Sequence, residues 1–114
     1  VAVDKYEVPF WSPETSVYPW QLEVIKEGIE LAPVSLVNKG YYVVGRLPTN
    51  DIAMAHPSLS REHAVFQHRK NGDMYIYDLD STHGTFVNKV RIKPRVYTAL
   101  KNGDFLRFGA YTRM

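Results

Sequence analysis

Short apolar runs closed by turn-forming clusters repeat along this chain and leave room for little except strands. Tyr41-Tyr42-Val43-Val44-Gly45 follows the turn signal Asn38-Lys39-Gly40. Residues 63–69 and 74–79 flank Lys70-Asn71-Gly72-Asp73, and Asn-Gly between β-rich runs is a strong hairpin cue. Residues 96–100 lead into Asn102-Gly103-Asp104, after which residues 105–109 begin. Residues 21–26 alternate polar and apolar side chains as a half-buried strand does; residues 34–37, 52–55 and 85–90 are further short candidates. No window of about 11 or more residues carries a helical period. Many short strands with frequent turns predict an all-β, antiparallel β-sandwich.

Composition narrows the function classes. At 114 residues, 45% hydrophobic and 23% charged, the chain has the size and content of one globular domain. The absence of cysteine excludes a disulfide scaffold and any thiolate site, and agrees with a reducing compartment. No apolar run approaches the ~18 residues of a membrane span, and no charged-then-apolar leader opens the chain, so no membrane association is expected. The net charge of +2 is scattered, without the basic run that would favour nucleic acid. Residues 1–19 hold three prolines and the aromatics Tyr6, Phe10, Trp11 and Tyr18. They read as an extended lead-in that packs its aromatics on the domain surface, with residues 20–114 forming the domain itself.

Four segments carry the chemistry: Gly45-Arg46, Asn50-Asp51, Ser60-Arg61-Glu62-His63, and the run from Asp80 to Asn88 (Asp-Ser-Thr-His-Gly-Thr-Phe-Val-Asn). They offer two arginines, three hydroxyls and loop N–H groups, with no thiol and no Gly-rich nucleotide loop. Such a set holds a phosphate. The pattern closely resembles that of the forkhead-associated (FHA) domain, G-R … S-x-x-H … S-x-N-G-T-x-x-N, a reader of phosphothreonine. The resemblance runs from about Trp20 to Thr112 and implies a sandwich of about eleven strands with the ligand held by loops at one end. Ser-Thr-His-Gly-Thr-Phe, Gly45-Arg46-Leu47, His56-Pro57-Ser58-Leu59-Ser60-Arg61, Pro9-Phe10-Trp11 and the ending Phe105-x-x-Phe108-Gly109-Ala110-x-Thr112-Arg113 are most similar to the subgroup found in kanadaptin and a nuclear inhibitor subunit of protein phosphatase 1. That likeness implies a nuclear protein linked to RNA processing, with the cytoplasm as a second location. The family pattern continues into a last strand where this chain stops at Met114, so the chain reads as a piece of a longer protein.

Site roles follow from the resemblance, position by position, and each is chemically apt. A phosphothreonine brings about −1.5 to −2 charge and three strong acceptors. Arg46 supplies a planar fork, Ser60 a short hydroxyl, Arg61 a second cation, and Thr82 a hydroxyl and an N–H. His83 stands where the family usually has asparagine; its imidazole either donates to the peptide backbone, with a possible pH dependence, or braces the loop. Gly45, His63, Gly84 and Asn88 are assigned to support of the site, Gly84 by permitting a tight loop. In the family a small apolar notch takes the phosphothreonine methyl, which implies discrimination against phosphoserine. The expected partner is a threonine-phosphorylated protein bound by a monomer, with no cofactor and no direct nucleic-acid binding.

Rival readings have their own residues. His56, His63, His68 and His83 are too irregularly spaced for a zinc motif, so no metal is expected. Ser60, His63 and Asp78 could be read as a hydrolase triad, but no G-x-S-x-G elbow holds the serine. Asp78-Leu79-Asp80-Ser81-Thr82 matches the D-x-D-x-T motif of haloacid-dehalogenase-type phosphatases. That chemistry needs a parallel α/β sheet, a downstream lysine and a second acidic cluster, and Asp104 is the one carboxylate after Thr82. A sandwich that docks protein or RNA without phosphate would keep the fold and make Arg46 dispensable; Tyr41, Tyr75 and Tyr77 could then stack bases, although alternating strand tyrosines more commonly pack a sheet.

Overall fold

The structure, a computed structural model, describes residues 6–16, 18–26, 29–30 and 32–109. Val1 to Lys5 of the lead-in, and Ala110, Thr112 and Arg113 of the C-terminal motif, lie outside the described residues. Those described form twelve short strands and no helix, so none is long and apolar enough to cross a membrane. The strands are β1 Gln21–Leu22, β2 Ile25–Lys26, β3 Ile29–Glu30, β4 Val34–Ser35, β5 Tyr41–Gly45, β6 Ile52–Ala53, β7 Ala64–His68, β8 Met74–Asp78, β9 Thr85–Val87, β10 Val90–Arg91, β11 Thr98–Ala99 and β12 Leu106–Phe108.

Two sheets make the sandwich. One has five strands in the order β11-β8-β7-β5-β6, the other three in the order β10-β9-β12; β1-β4 and β2-β3 are separate ribbons. Period-two alternation explains the core between them. Tyr42 and Val44 of β5, Ala64 and Phe66 of β7, and Met74 and Ile76 of β8 meet Val87, Ile92, Leu106 and Phe108 from the other side. The opposite face of the five-stranded sheet is also covered. Val43, Val65 and Leu79 pack with Tyr6 of the lead-in, which is why every residue of β7 is buried. Tyr6 lies edge-on to Tyr77 at 5.3 Å, and Trp11 contacts Tyr75 and Tyr97 at 5.8 and 5.1 Å. Phe10, expected to pack as well, points away from the domain and is 96% exposed.

Several details differ from the sequence reading. Residues 21–26 form two strands, β1 pairing with β4 and β2 with β3. The β5–β6 pair is parallel, because the chain turns through Asn50 N–H to Leu47 C=O at 3.1 Å and re-enters the sheet beside Gly45. The Asn71-Gly72 hairpin forms with Gly72 alone at positive φ (+98°), while Gly72 N–H donates to Arg69 C=O and Arg69 N–H to Asp73 C=O. This is a type I turn followed by a left-handed glycine, not a two-residue turn. The two-residue turn lies inside the run 85–90. Asn88 and Lys89 both take positive φ, +51° and +71°, between paired Val87 and Val90, the signature of type I′. Without glycine it gave no cue.

Candidate functional site

The first and third segments are joined through backbone. Gly45 ends β5 where the chain passes under the Ser60-Arg61 loop, and Arg46 N–H donates to Ser60 C=O at 3.0 Å. A Cβ on Gly45 would sit 2.2 Å from the Arg61 carbonyl oxygen; only glycine lets the strands meet so closely. Asn50, buried, donates its amide to the same Arg61 carbonyl at 2.7 Å. Arg46 itself is exposed, and its Nε donates to Leu59 C=O at 3.2 Å. That bond anchors the side chain and leaves both terminal nitrogens without a partner among the described residues.

His63 ties the third segment to the fourth. Its Nδ1 accepts from Ser60 N–H at 3.1 Å, so Nε2 carries the proton and donates to Gly84 C=O at 2.8 Å. The ring is fully buried and lies edge-on against Phe108 of β12, 5.7 Å away. Burial lowers its pKa from the usual histidine value, against the opposing pull of the Gly84 bond, and the neutral tautomer is the one that both bonds require. One side chain thus holds both loops in register.

Asp78, at the end of β8, organises the loop of residues 80–84. Its buried carboxylate accepts from Ser81 N–H at 3.0 Å, Ser81 Oγ at 2.7 Å and Thr85 Oγ1 at 2.6 Å. Ser81 Oγ in turn accepts from Gly84 N–H at 3.0 Å. Asp80 and Gly84 take positive φ, +62° and +90°, and between them Thr82 and His83 are held out in solvent. Thr82 N–H donates to Ser60 Oγ at 3.3 Å, bringing two of the expected phosphate donors together. Arg61 is exposed beside them.

Asn88 is not brought to these loops. It stands beyond the other end of β9, where its amide donates to Asp104 Oδ1 at 2.9 Å and its Oδ1 accepts from Phe105 N–H at 2.9 Å. There it joins the β9–β10 turn to the approach of β12. The Lys101 N–H and then the Asn88 amide hold the Asp104 carboxyl below its ordinary range.

Asp78, Asn50 and Ser81 were missed as supports. Only Asn50 could have been suspected, from its place in the charged constellation; the other two need the loop geometry. Arg91 of β10 is not one of these supports. Its side chain lies over Gly84, where a Cβ would meet Nε at 2.4 Å.

The same geometry does not fit either enzymatic rival. His63 turns Nε2 to a carbonyl and touches Ser60 through its backbone, so it cannot activate that hydroxyl. Asp78 is saturated by hydroxyls and an N–H, and β8, which carries it, pairs antiparallel with both β7 and β11, unlike the all-parallel α/β sheet a phosphoaspartyl enzyme needs. No group of three or more His, Asp or Glu among the described residues could hold a metal.

A match to the FHA-domain family covers residues 42–109. The chain is 44% identical over 119 residues to human kanadaptin, spanning 96% of this chain and 16% of that protein. It is 31% identical over 112 residues to the human nuclear inhibitor of protein phosphatase 1, spanning 95% of this chain and 31% of that one. Among solved structures, the FHA domain of TbPar42 superposes with a TM-score of 0.76 at 27% identity, over 95% of this chain and 60% of that one. An FHA structure from a study of phosphothreonine-dependent FHA interactions gives 0.59 at 26%, over 68% and 76%. The chain therefore spans well under two thirds of the curated relatives it matches.

Proposed function

This chain belongs to the FHA-domain family of phosphopeptide-binding interaction modules, and from that premise we propose that it docks threonine-phosphorylated proteins through Arg46, Ser60, Arg61, Thr82 and His83. The observation that carries the reading is the meeting of Ser60 Oγ and Thr82 N–H at 3.3 Å beside a guanidinium anchored at Leu59. A tetrahedral phosphate needs such a set: a cation fork, a hydroxyl and a main-chain donor converging from different loops. The buried frame of Gly45, His63 and Gly84 keeps these groups in place before any ligand arrives, which lowers the ordering cost of binding. Asn88 supports the far end of β9 rather than the loops. Residues 20–114 act as the binding unit with the lead-in as its cover, and the domain works as a monomer. The relatives' names favour a nuclear setting, and the likeness to a splicing factor's fold fits a place among RNA-processing assemblies.

The test is fluorescence polarisation with phosphothreonine peptide pools beside matched phosphoserine and unphosphorylated pools, on the wild-type protein and Arg46→Ala. Phosphothreonine-selective binding is expected. Arg46→Ala should weaken it by about 2–5 kcal/mol, the range for truncating one side of a desolvated charge pair, with the fold intact by circular dichroism. Binding without phosphate selectivity, or unchanged in Arg46→Ala, would move the function to phosphate-independent docking.

A further inference from the structure

The three-stranded sheet has an outer face that the proposed phosphate site does not use. Along β9, Thr85 is buried and Val87 packs on the core, so Phe86 between them faces outward. The register sets Arg91 of β10 and Arg107 of β12 directly opposite Phe86, one on each side. The three side chains form one row, with the arginines two strand spacings apart, about 9.6 Å. Arg107 is fixed twice: its guanidinium carbon lies 3.9 Å from the Phe86 ring centroid, and Nη1 donates to Gly109 C=O at 2.6 Å. Arg91 rests in the berth left by the missing side chain of Gly84. Neither has a carboxylate within ion-pair distance among the described residues.

The row stands at the phosphate end of the sandwich. Gly84 closes the Thr82-His83 loop two residues before Phe86, and Gly109 N–H donates to Gly84 C=O at 2.9 Å. Guanidinium groups already laid against a ring and a backbone have little rotamer freedom left to lose, and they are weakly hydrated for their charge. Two such groups, uncompensated and flanking an aromatic plane, suit a peptide that carries an anion beside an apolar group.

We propose that Arg91, Phe86 and Arg107 form a second anion subsite, on the sheet face beside the phosphothreonine loops, which reads an additional carboxylate or phosphate on the same partner segment. This rests on the phosphothreonine reading above. Its test uses one phosphothreonine peptide with neutral flanks and three derivatives, in which flanking positions carry aspartate, a second phosphorylated residue, or lysine. In the wild-type protein each added anion should raise affinity about fivefold, the upper end for an exposed ion pair, and the gain should shrink as salt is added. Preference for the aspartate or for the doubly phosphorylated peptide identifies the source of the charge. Arg91→Gln and Arg107→Gln, checked for folding by thermal melts, should lose the gain and keep the neutral-flank affinity within about twofold of wild type, since neither residue belongs to the proposed phosphate set. Arg91→Glu should turn the preference toward lysine. The subsite is overturned if the neutral-flank peptide binds but added anions give no gain, or if the gain survives in both variants. Failure of the neutral-flank peptide itself to bind would instead bring down the phosphothreonine reading, and the subsite with it.

Discussion

β7 is bracketed by two buried histidines that meet opposite ends of the sandwich in different ways. His63 and His68 are both fully buried, and burial lowers the pKa of each. Each donates Nε2–H to a carbonyl, His63 to Gly84 and His68 to Leu36. They part at the other nitrogen. Nδ1 of His63 accepts from Ser60, whereas Nδ1 of His68 is buried and finds no partner among the described residues. The first histidine joins two loops that otherwise share the Thr82 N–H to Ser60 Oγ bond; the second fills a place that packing defines. Near His68 lies a cleft of about 480 Å³, lined by Trp20, Leu22, Leu36, Phe66 and Met74 among others. By contrast, the groups proposed to bind phosphothreonine, Arg46, Arg61, Thr82 and His83, are exposed above a buried polar frame of His63, Asp78 and Ser81.

The contrast is broken most directly by substitution at the two histidines. His63→Leu strands the Ser60 N–H and leaves the Gly84 carbonyl with the Gly109 N–H alone; it should cost about 1–3 kcal/mol in urea unfolding, the range for one unsatisfied buried group, and abolish phosphothreonine binding. Equal stability loss with unaltered binding would show that the loops hold their register without the imidazole. His68→Leu removes an orphaned nitrogen but strands the buried Leu36 carbonyl and should cost about 1–3 kcal/mol, with peptide affinity unchanged.

Gly84 and Gly103 sharpen the same contrast. They share nearly the same positive φ, +90° and +91°, but a Cβ at Gly103 meets nothing within 4 Å while one at Gly84 meets Arg91. Alanine at either should cost about 1–2 kcal/mol for the left-handed backbone, read from thermal melts. Only Gly84→Ala, by displacing Arg91, should alter the response to acidic flanks.

The mildest probe is pH. With folded-state values below 6.5 for both histidines, the unfolded chain takes up the additional protons. Stability should therefore be fully present above pH 6.5 and decline as pH falls below it through the lowered folded values. Urea titrations across this window should show a shallower decline in His63→Leu and His68→Leu than in wild type.

How much of this was legible in the sequence depends on range. β5 and β8 could be read from their apolar alternation, because local pattern and sheet burial agree there. Gly45, His63 and Gly84 could be placed beside the loops by motif. Asp78 could not, since its role depends on a loop closing over it, and the same residue fitted a phosphatase motif equally well. The Asn88-Lys89 turn was hidden because Lys89 occupies a conformation that glycine normally signals. Arg91 became visible only through its register with Phe86. Asn88 does hydrogen-bond backbone and fix a loop between strands, but at Phe105, because β9 carries it to the end away from the Ser60 and Thr82 loops.

The cover that the lead-in provides over the five-stranded sheet has a temporal side. Tyr6 shares hydrogen bonds with Gln67 and, 91 residues further along, with Tyr97. On a ribosome adding about 5–20 residues per second, Tyr6 emerges on the order of 5–20 s before its last partner. Until Tyr97 is made, the cover over Val43 and Val65 lacks one of its anchoring hydrogen bonds, so that part of the seal is completed only when two distant stretches of the chain meet.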